Sequence, residues 1–365
     1  MNTSTHSQRL DRWLGSGIAE QMSRGMKGWY GPPIPLFGVP GHVYAMGNGD
    51  FCGAIKGGYF ADLASYSTER FKRVVRNWST EQYFTAGMGF ASLSDLISEA
   101  TTGGKAQVLA FTKVGAAVAA VGQTVDYWNL GNVPIGAGAP ASLPGGTNFT
   151  SASAAALQYV NPGGSDTMHV TTITAQCNSV GALLMYDRLW AGNNSLNATS
   201  NTGLNLGLTR YANSTCNAAG NFVTPIVLSG ANATATNLTV NYSNQAGSAN
   251  ANSAAIAFRA SAANNNVGLA AQQWFIPLNA GDTGLSNMSA VYSSGAQAAV
   301  CQWVVGHPIA LVPAAVANIP FILDGINSAF NLTQVWPSAC LALMDWCKGA
   351  TTAAAWQGFI QVVSG

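Results

Sequence analysis

The sequence predicts a mainly β protein built on an antiparallel β-sandwich of jelly-roll or immunoglobulin-like type, with an N-terminal region that contains α-helix and an extended arm. From residue 168 onward, short apolar runs alternate with Gly, Asn and Ser turn residues, a pattern typical of antiparallel sheets. Helical spacing of apolar residues is concentrated before residue 100. A stretch rich in Gly and Pro, residues 131–165, separates the two regions.

Composition limits what this protein does. Of its 365 residues 8% are charged, where soluble domains have roughly a quarter, and the net charge is +1. The 48% apolar content excludes intrinsic disorder, and the absence of a basic surplus argues against nucleic-acid binding. Residues 114–365 carry four basic and six acidic side chains. We interpret this as a surface covered by neighbours in an assembly; the alternative is a polar surface solvated through amides and hydroxyls.

Residues 1–45 are predicted to be a helix followed by an extended arm. Apolar residues recur at helical spacing over 8–24, and four prolines and three glycines in 31–41 (GPPIPLFGVPG) enforce an extended path. Such an arm can lie along another subunit. The candidate assembly contacts are Leu10, Trp13, Leu14, Ile18, Pro32, Pro33, Pro35, Leu36 and Phe37.

Residues 46–130 are predicted to be a mixed α/β region, and 131–165 a linker or long surface loop. A short basic helix is expected at 67–79, with a solvated face favoured over a contact with nucleic acid or an acidic partner surface. A second helix is expected at 92–100, because Ser92 and Asp95 form a capping-box pattern.

Residues 166–365 are predicted to form the β-sandwich domain. Alternating or continuous apolar runs predict strands at 169–175, 182–186, 204–208, 222–228, 238–242, 254–259, 273–278, 287–293, 299–305 and 356–363. A helix is predicted at 338–347, where apolar residues crowd together.

No motif for catalysis or for metal or cofactor binding occurs. The chain lacks HExxH, GxSxG, a dinucleotide fingerprint and a phosphate loop, its four histidines are scattered, and its six cysteines form no CxxC. We therefore expect no enzyme activity, no catalytic or metal residues and no cofactor. We expect no secretory signal in residues 1–25, which lack an apolar h-region, and the longest apolar run, 114–121, is too short to span a bilayer.

Two charged residues stand out because they follow an apolar run in a charge-poor region. Asp187 and Arg188 are candidates for a buried or interfacial ion pair, with a structural role favoured over catalysis. Trp274, Trp303, Trp336, Trp346 and Trp356 suit either a sugar-binding face or core packing, and core packing is favoured.

Five segments of the second half, taken in this order, resemble segments of a known protein family. They are 181–190 (GALLMYDRLW), 208–211 (LTRY), 242–247 (YSNQAG), 275–284 (FIPLNAGDTG) and 339–344 (ACLALM). With them the chain resembles a family of minor capsid or head-decoration proteins of tailed bacteriophages. The resemblance does not extend to residues 1–165, and it brings no catalytic residue.

The resemblance implies a virion structural protein, a capsid decoration or cement protein, that assembles in the host bacterial cytoplasm. Its expected partners are other copies of itself, as a homotrimer, and capsid proteins, with no sequence-specific nucleic acid and no membrane. The alternatives are a major capsid protein, against which the low charge argues, and a tail-associated receptor- or glycan-binding protein. An enzyme such as a polysaccharide depolymerase is the third class.

Overall fold

The structure of the protein is a computed structural model, in which the chain divides into two compact units, Met1–Ser92 and Leu93–Gly365. It describes residues 34–35, 41–45, 51–55 and 90, and 93–365 apart from 116–122, 138–144, 164–165, 197–199, 203, 205, 213–217, 231–234, 249–251, 261–263, 271–272, 297, 327–331 and 348–352.

In the first unit the described residues form a small antiparallel sheet. Its strands are β1 (Ile34–Pro35), β2 (Gly41–Ala45) and β3 (Phe51–Ile55), in the order β1-β2-β3. Among the predicted assembly contacts, Pro35 lies in β1. The other eight contacts, with the helices predicted at 8–24 and 67–79, lie outside the described residues.

The second unit begins with a short helix, α1 (Leu93–Thr101), as predicted for 92–100. The backbone leaves the helix through Gly104, whose φ of 65° suits a residue without a Cβ. Of its large apolar side chains only Leu96 is buried, while Leu93 and Ile97 are exposed. The helix therefore contributes little to the core.

Antiparallel strands make up most of the rest of the second unit. They are β4 (Ala106–Val114), β5 (Gln123–Asp126), β6 (Asn132–Val133), β7 (Thr147–Asn148), β8 (Met168–Cys177), β9 (Gly181–Ser195), β10 (Ser200–Thr202), β11 (Phe222–Ser229), β12 (Thr236–Asn244), β13 (Ile256–Phe258), β14 (Leu285–Ser293), β15 (Val300–Ala314), β16 (Phe321–Asp324), β17 (Thr333–Val335), β18 (Leu341–Cys347) and β19 (Ala355–Ser364). The prediction of a mainly β, antiparallel sandwich is confirmed.

These strands form three sheets. Sheet I has the order β16-β8-β19-β4-β6, with β17 also pairing with β8. Sheet II has the order β11-β15-β9-β18-β5, with β7 also pairing with β9. Sheet III has the order β10-β14-β12-β13.

Sheet II is covered on both faces. In β18, Leu341 and Leu343 join the core shared with sheet I, whereas Ala342 and Met344 join the core shared with sheet III. Alternate side chains of a strand point to opposite faces, so this division places sheet II between the other two. Sheet II therefore forms the hydrophobic centre of the unit.

The prediction of a helix at 338–347 is wrong, because this apolar run contains strand β18. A strand buried on both faces has an unbroken apolar sequence, which periodicity cannot distinguish from a buried helix. Cys340 therefore precedes a strand, and Cys347 is the last residue of that strand.

Most predicted strands are confirmed, but two apolar segments are not strands in the described residues. Residues 204, 206–208 and 273–278 are irregular, although Leu204, Leu206 and Ile276 are buried in the core between sheets II and III. Apolar side chains can cover the end of a core without joining a hydrogen-bonded ladder.

The sandwich also takes in chain that precedes residue 166. Strand β4 pairs with β19 and β5 pairs with β18, so both enter the sheets of the predicted 166–365 domain. The Gly- and Pro-rich segment 131–165 contributes β6, β7 and the buried residues Ala155, Ala156 and Leu157. This segment connects strands within one sandwich, which differs from the predicted division into a mixed region, a linker and a domain.

Candidate functional site

Asp187 and Arg188 lie near the middle of β9, the central strand of sheet II. Asp187 is opposite His307 of β15 on one side and Leu341 of β18 on the other. Both charged side chains are fully buried. They do not pair with each other, because each is neutralised by a different partner.

Arg188 pairs with Asp126 of β5. Its Nη1 donates to Asp126 Oδ2 at 2.9 Å and to the Tyr186 hydroxyl at 2.9 Å, and its Nη2 donates to Gln302 Oε1. The Tyr186 hydroxyl donates in turn to Asp126 Oδ1 at 3.1 Å. The guanidinium also lies 4.7 Å from the centre of the Trp128 ring, a cation–π distance.

Asp187 pairs with Arg210, which lies in the chain between β10 and β11. The guanidinium is bidentate: Nε donates to Oδ2 at 2.8 Å and Nη2 to Oδ1 at 2.7 Å. Oδ1 also accepts the backbone N–H of Cys340 at 2.8 Å, and Arg210 Nη2 donates to the carbonyl of Phe149. One buried carboxylate thus ties three separate stretches of chain together.

A third buried carboxylate has no cation beside it. Asp345 of β18 accepts the hydroxyl of Tyr127 at 2.9 Å and the indole N–H of Trp356 at 3.1 Å. Burial raises its pKa to about 7, despite the opposing effect of these donors. Elsewhere in the core the Lys113 ammonium donates to the carbonyls of Leu130 and Pro134, and burial lowers its pKa to about 8.

The thiol and the imidazoles of the core are not activated for nucleophilic attack or for binding a proton at neutral pH. Burial, with Asp187 nearby, raises the pKa of the Cys340 thiol to about 12, so the thiolate form is suppressed. Burial lowers the pKa of both His169 and His307 to about 4. Burial acts to lower the pKa of Arg188, but Tyr186 and Asp126 outweigh it and the net shift is upward. This chemistry suits a clamp that holds strands together.

The described residues also hold no cluster of three or more His, Cys, Asp or Glu side chains able to bind a metal ion. In the same part of the chain, no helix has the length and apolar character needed to cross a membrane. Among the tryptophans weighed for a sugar-binding face, Trp303 and Trp356 are buried, and Trp274, Trp336 and Trp346 are half-buried.

The surface of the second unit carries few charges. Among the described residues of 93–365, no charged residue is more than partly exposed. Six are buried, namely Lys113, Asp126, Asp187, Arg188, Arg210 and Asp345, and seven are half-buried, namely Asp95, Glu99, Lys105, Asp166, Arg259, Asp282 and Asp324. The few charged side chains of this region therefore lie largely inside the fold or form ion pairs at the surface, as Lys105 does with Glu99 and Asp166.

Sequence reasoning singled out Asp187 and Arg188 but missed the groups that neutralise them. Asp126 and Arg210 have no local motif, and only the strand topology brings them to β9. Asp126 has one usable signal, since it is a charge within the apolar run 125–128. No protein-family model, no curated protein and no solved structure matches this chain.

Proposed function

We propose that this chain is a structural protein of a tailed-bacteriophage virion, a capsid decoration or minor capsid protein that stabilises the head through subunit contacts. The observation that carries the proposal is the scarcity of exposed charge: of the thirteen charged side chains among the described residues of 93–365, six are buried and the other seven are only partly exposed. Interfaces between permanently associated subunits are poor in charge, whereas free soluble surfaces are not. The resemblance of segments within 181–344 to head-decoration proteins supports the same conclusion.

The proposed partners are other copies of this chain, as a homo-oligomer for which capsid geometry favours a trimer, and the capsid proteins beneath it. The protein is not an enzyme in this proposal, takes no cofactor, and binds neither a specific nucleic-acid sequence nor a membrane. It is assembled in the host cytoplasm and resides in the virion. A major capsid protein would contact the same neighbours. The position of this chain in the shell therefore distinguishes a decoration or minor capsid protein from a major capsid protein.

One observation favours the alternative of a tail-associated glycan-binding protein. The outward side of sheet III presents amides and hydroxyls, including Asn237, Thr239 and Asn241 of β12 and Asn287 and Ser289 of β14. Such groups can hydrogen-bond sugar hydroxyls. Gold-labelled antibody against this chain, applied to purified particles, separates the two roles. Label on the head supports decoration, label on the tail supports receptor binding, and no label on the particle contradicts both.

Deleting residues 1–45 is expected to abolish incorporation into particles while leaving the sandwich folded. The deletion removes the predicted arm together with β1 and β2, whereas sheets I, II and III are built from β4 to β19. Quantitative mass spectrometry of purified particles measures incorporation, and far-UV circular dichroism of the purified variant measures folding. Full occupancy of the truncated chain would contradict the arm hypothesis.

A further inference from the structure

The two edges of sheet II are joined by a short segment of chain, residues 265–268, which lies between β13 and β14 in the sequence. Asn266 forms an isolated antiparallel bridge to Val125 of β5, the strand at one edge. Val267 forms another to Ile226 of β11, the strand at the other edge. Four residues therefore close sheet II on itself, and we call them the latch.

Backbone hydrogen bonds hold the latch to both edges, two to β5 and three to β11. The donor and acceptor atoms lie 2.8–2.9 Å apart in each, and the bonds run from the N–H groups of Asp126, Val267, Asn265, Val227 and Gly268 to the carbonyls of Asn265, Thr124, Val227, Asn266 and Pro225, in that order. Because all of these bonds converge on four residues, displacing the latch breaks them together.

Packing also holds the latch in place, and it depends on one close approach. Asn266, Val267 and Gly268 are buried, and the Phe258 ring of β13 lies so close to Gly268 that a Cβ there would overlap it. Glycine is the residue that allows another group to come this near to the backbone. A larger side chain at residue 268 would therefore push the latch away from its seat.

Strand β5 has no protection of its own at the edge that the latch covers. Edge strands of natural proteins are commonly protected by proline, by bulges or by outward charges. Strand β11 has Pro225 and a register shift after Val227. Strand β5 pairs regularly, and its one charge, Asp126, turns inward to Arg188. Without the latch, β5 would present the Asp126 N–H and the Thr124 carbonyl unpaired on an edge that nothing else protects.

We propose that the latch opens as one unit while the rest of sheet II stays paired, and that the open form presents β5 and β11 to a strand of another copy of this chain. Unpaired strand edges bind other strands through main-chain hydrogen bonds. The closed latch therefore prevents subunits from joining by strand addition and leaves their contacts to other surfaces. This conformational device goes beyond the proposed function, because it does not depend on where the chain resides.

Hydrogen–deuterium exchange of the full-length wild type, resolved to single amides by mass spectrometry, tests whether the latch opens as a unit. Amides released by one local opening share one degree of protection. We expect the amides that donate the latch bonds to agree in protection within about threefold, and to exchange at least about tenfold faster than amides in the middle of β9. A wider spread among them, or a smaller difference from β9, would overturn the proposal.

Gly268→Val tests whether the open edges bind other copies. We expect the latch amides to exchange at least about tenfold faster, and light scattering to show species larger than the wild type that grow with concentration. Val267→Ala, which shortens the one apolar side chain of the latch, is a milder variant with the same expectation, should Gly268→Val fail to fold. Gly163→Val, at an exposed glycine with open space around it, is the matched control and is expected to match the wild type. Faster exchange of the latch amides without larger species, or larger species in the control, would overturn the proposal.

Discussion

Replacing Arg188 with Met is expected to lower the free energy of unfolding by about 3–5 kcal/mol, because it leaves the Asp126 carboxylate buried without its cation. Both side chains are fully buried, and Met preserves much of the volume of Arg188. The hydroxyl of Tyr186 would remain as a donor to Asp126. The hydrogen bonds from Nη1 of Arg188 to Asp126 and from Nη2 to Gln302 would be lost.

Urea denaturation of the full chain measures this loss. The matched control is Lys105→Met, which removes a cation from a partly exposed pair, and it is expected to lower the free energy of unfolding far less than Arg188→Met does. The double variant Asp126→Asn with Arg188→Met removes both charges and is expected to recover part of the stability. Equally small losses of unfolding free energy in Arg188→Met and Lys105→Met would show that the buried pair does not hold β5 to β9.

The strands that alternate or are bounded by turn residues could be predicted from sequence, and those buried on both faces could not. Strand β8, with Thr at alternate positions, has a clear period of two. Strand β18 is apolar throughout because sheet II is covered on both sides, and its sequence is equally compatible with a helix. Local sequence does not reveal how many layers a sheet will have.

Strand pairing over long separations is the other part of the fold that sequence did not predict. Strand β4 pairs with β19 at the far end of the chain, so no turn pattern links them. The same limit applies to the buried charges. Asp187 and Arg188 attract notice as charges after an apolar run, but their partners Arg210 and Asp126 are brought near only by the assembled sheets. Counting charges predicted a sparse surface, and it could not predict that so many of the charges turn inward.

Replacing Asp345 with Asn is expected to stabilise the protein at pH 8 by about 3–4 kcal/mol relative to its effect at pH 4. Burial raises the pKa of Asp345 to about 7 in the folded state, against about 3.9 in an unfolded chain. Between these values the folded protein holds a proton that the unfolded chain has released, so wild-type stability falls as pH rises. Asn stays neutral and still offers an oxygen to Tyr127 and Trp356, so the variant lacks this fall.

The measurement is the difference in unfolding free energy between variant and wild type at several pH values from 4 to 8. Burial lowers the pKa of His169 and His307 to about 4, so each makes stability rise with pH over the same window. Both histidines are present in both proteins, so their effect cancels in the difference. Asp166→Asn, which removes a carboxylate that pairs with Lys105 near the surface, is the control for the loss of a negative charge as such. A difference for Asp345→Asn that does not vary with pH would mean that this carboxyl group does not keep its proton inside the folded sandwich.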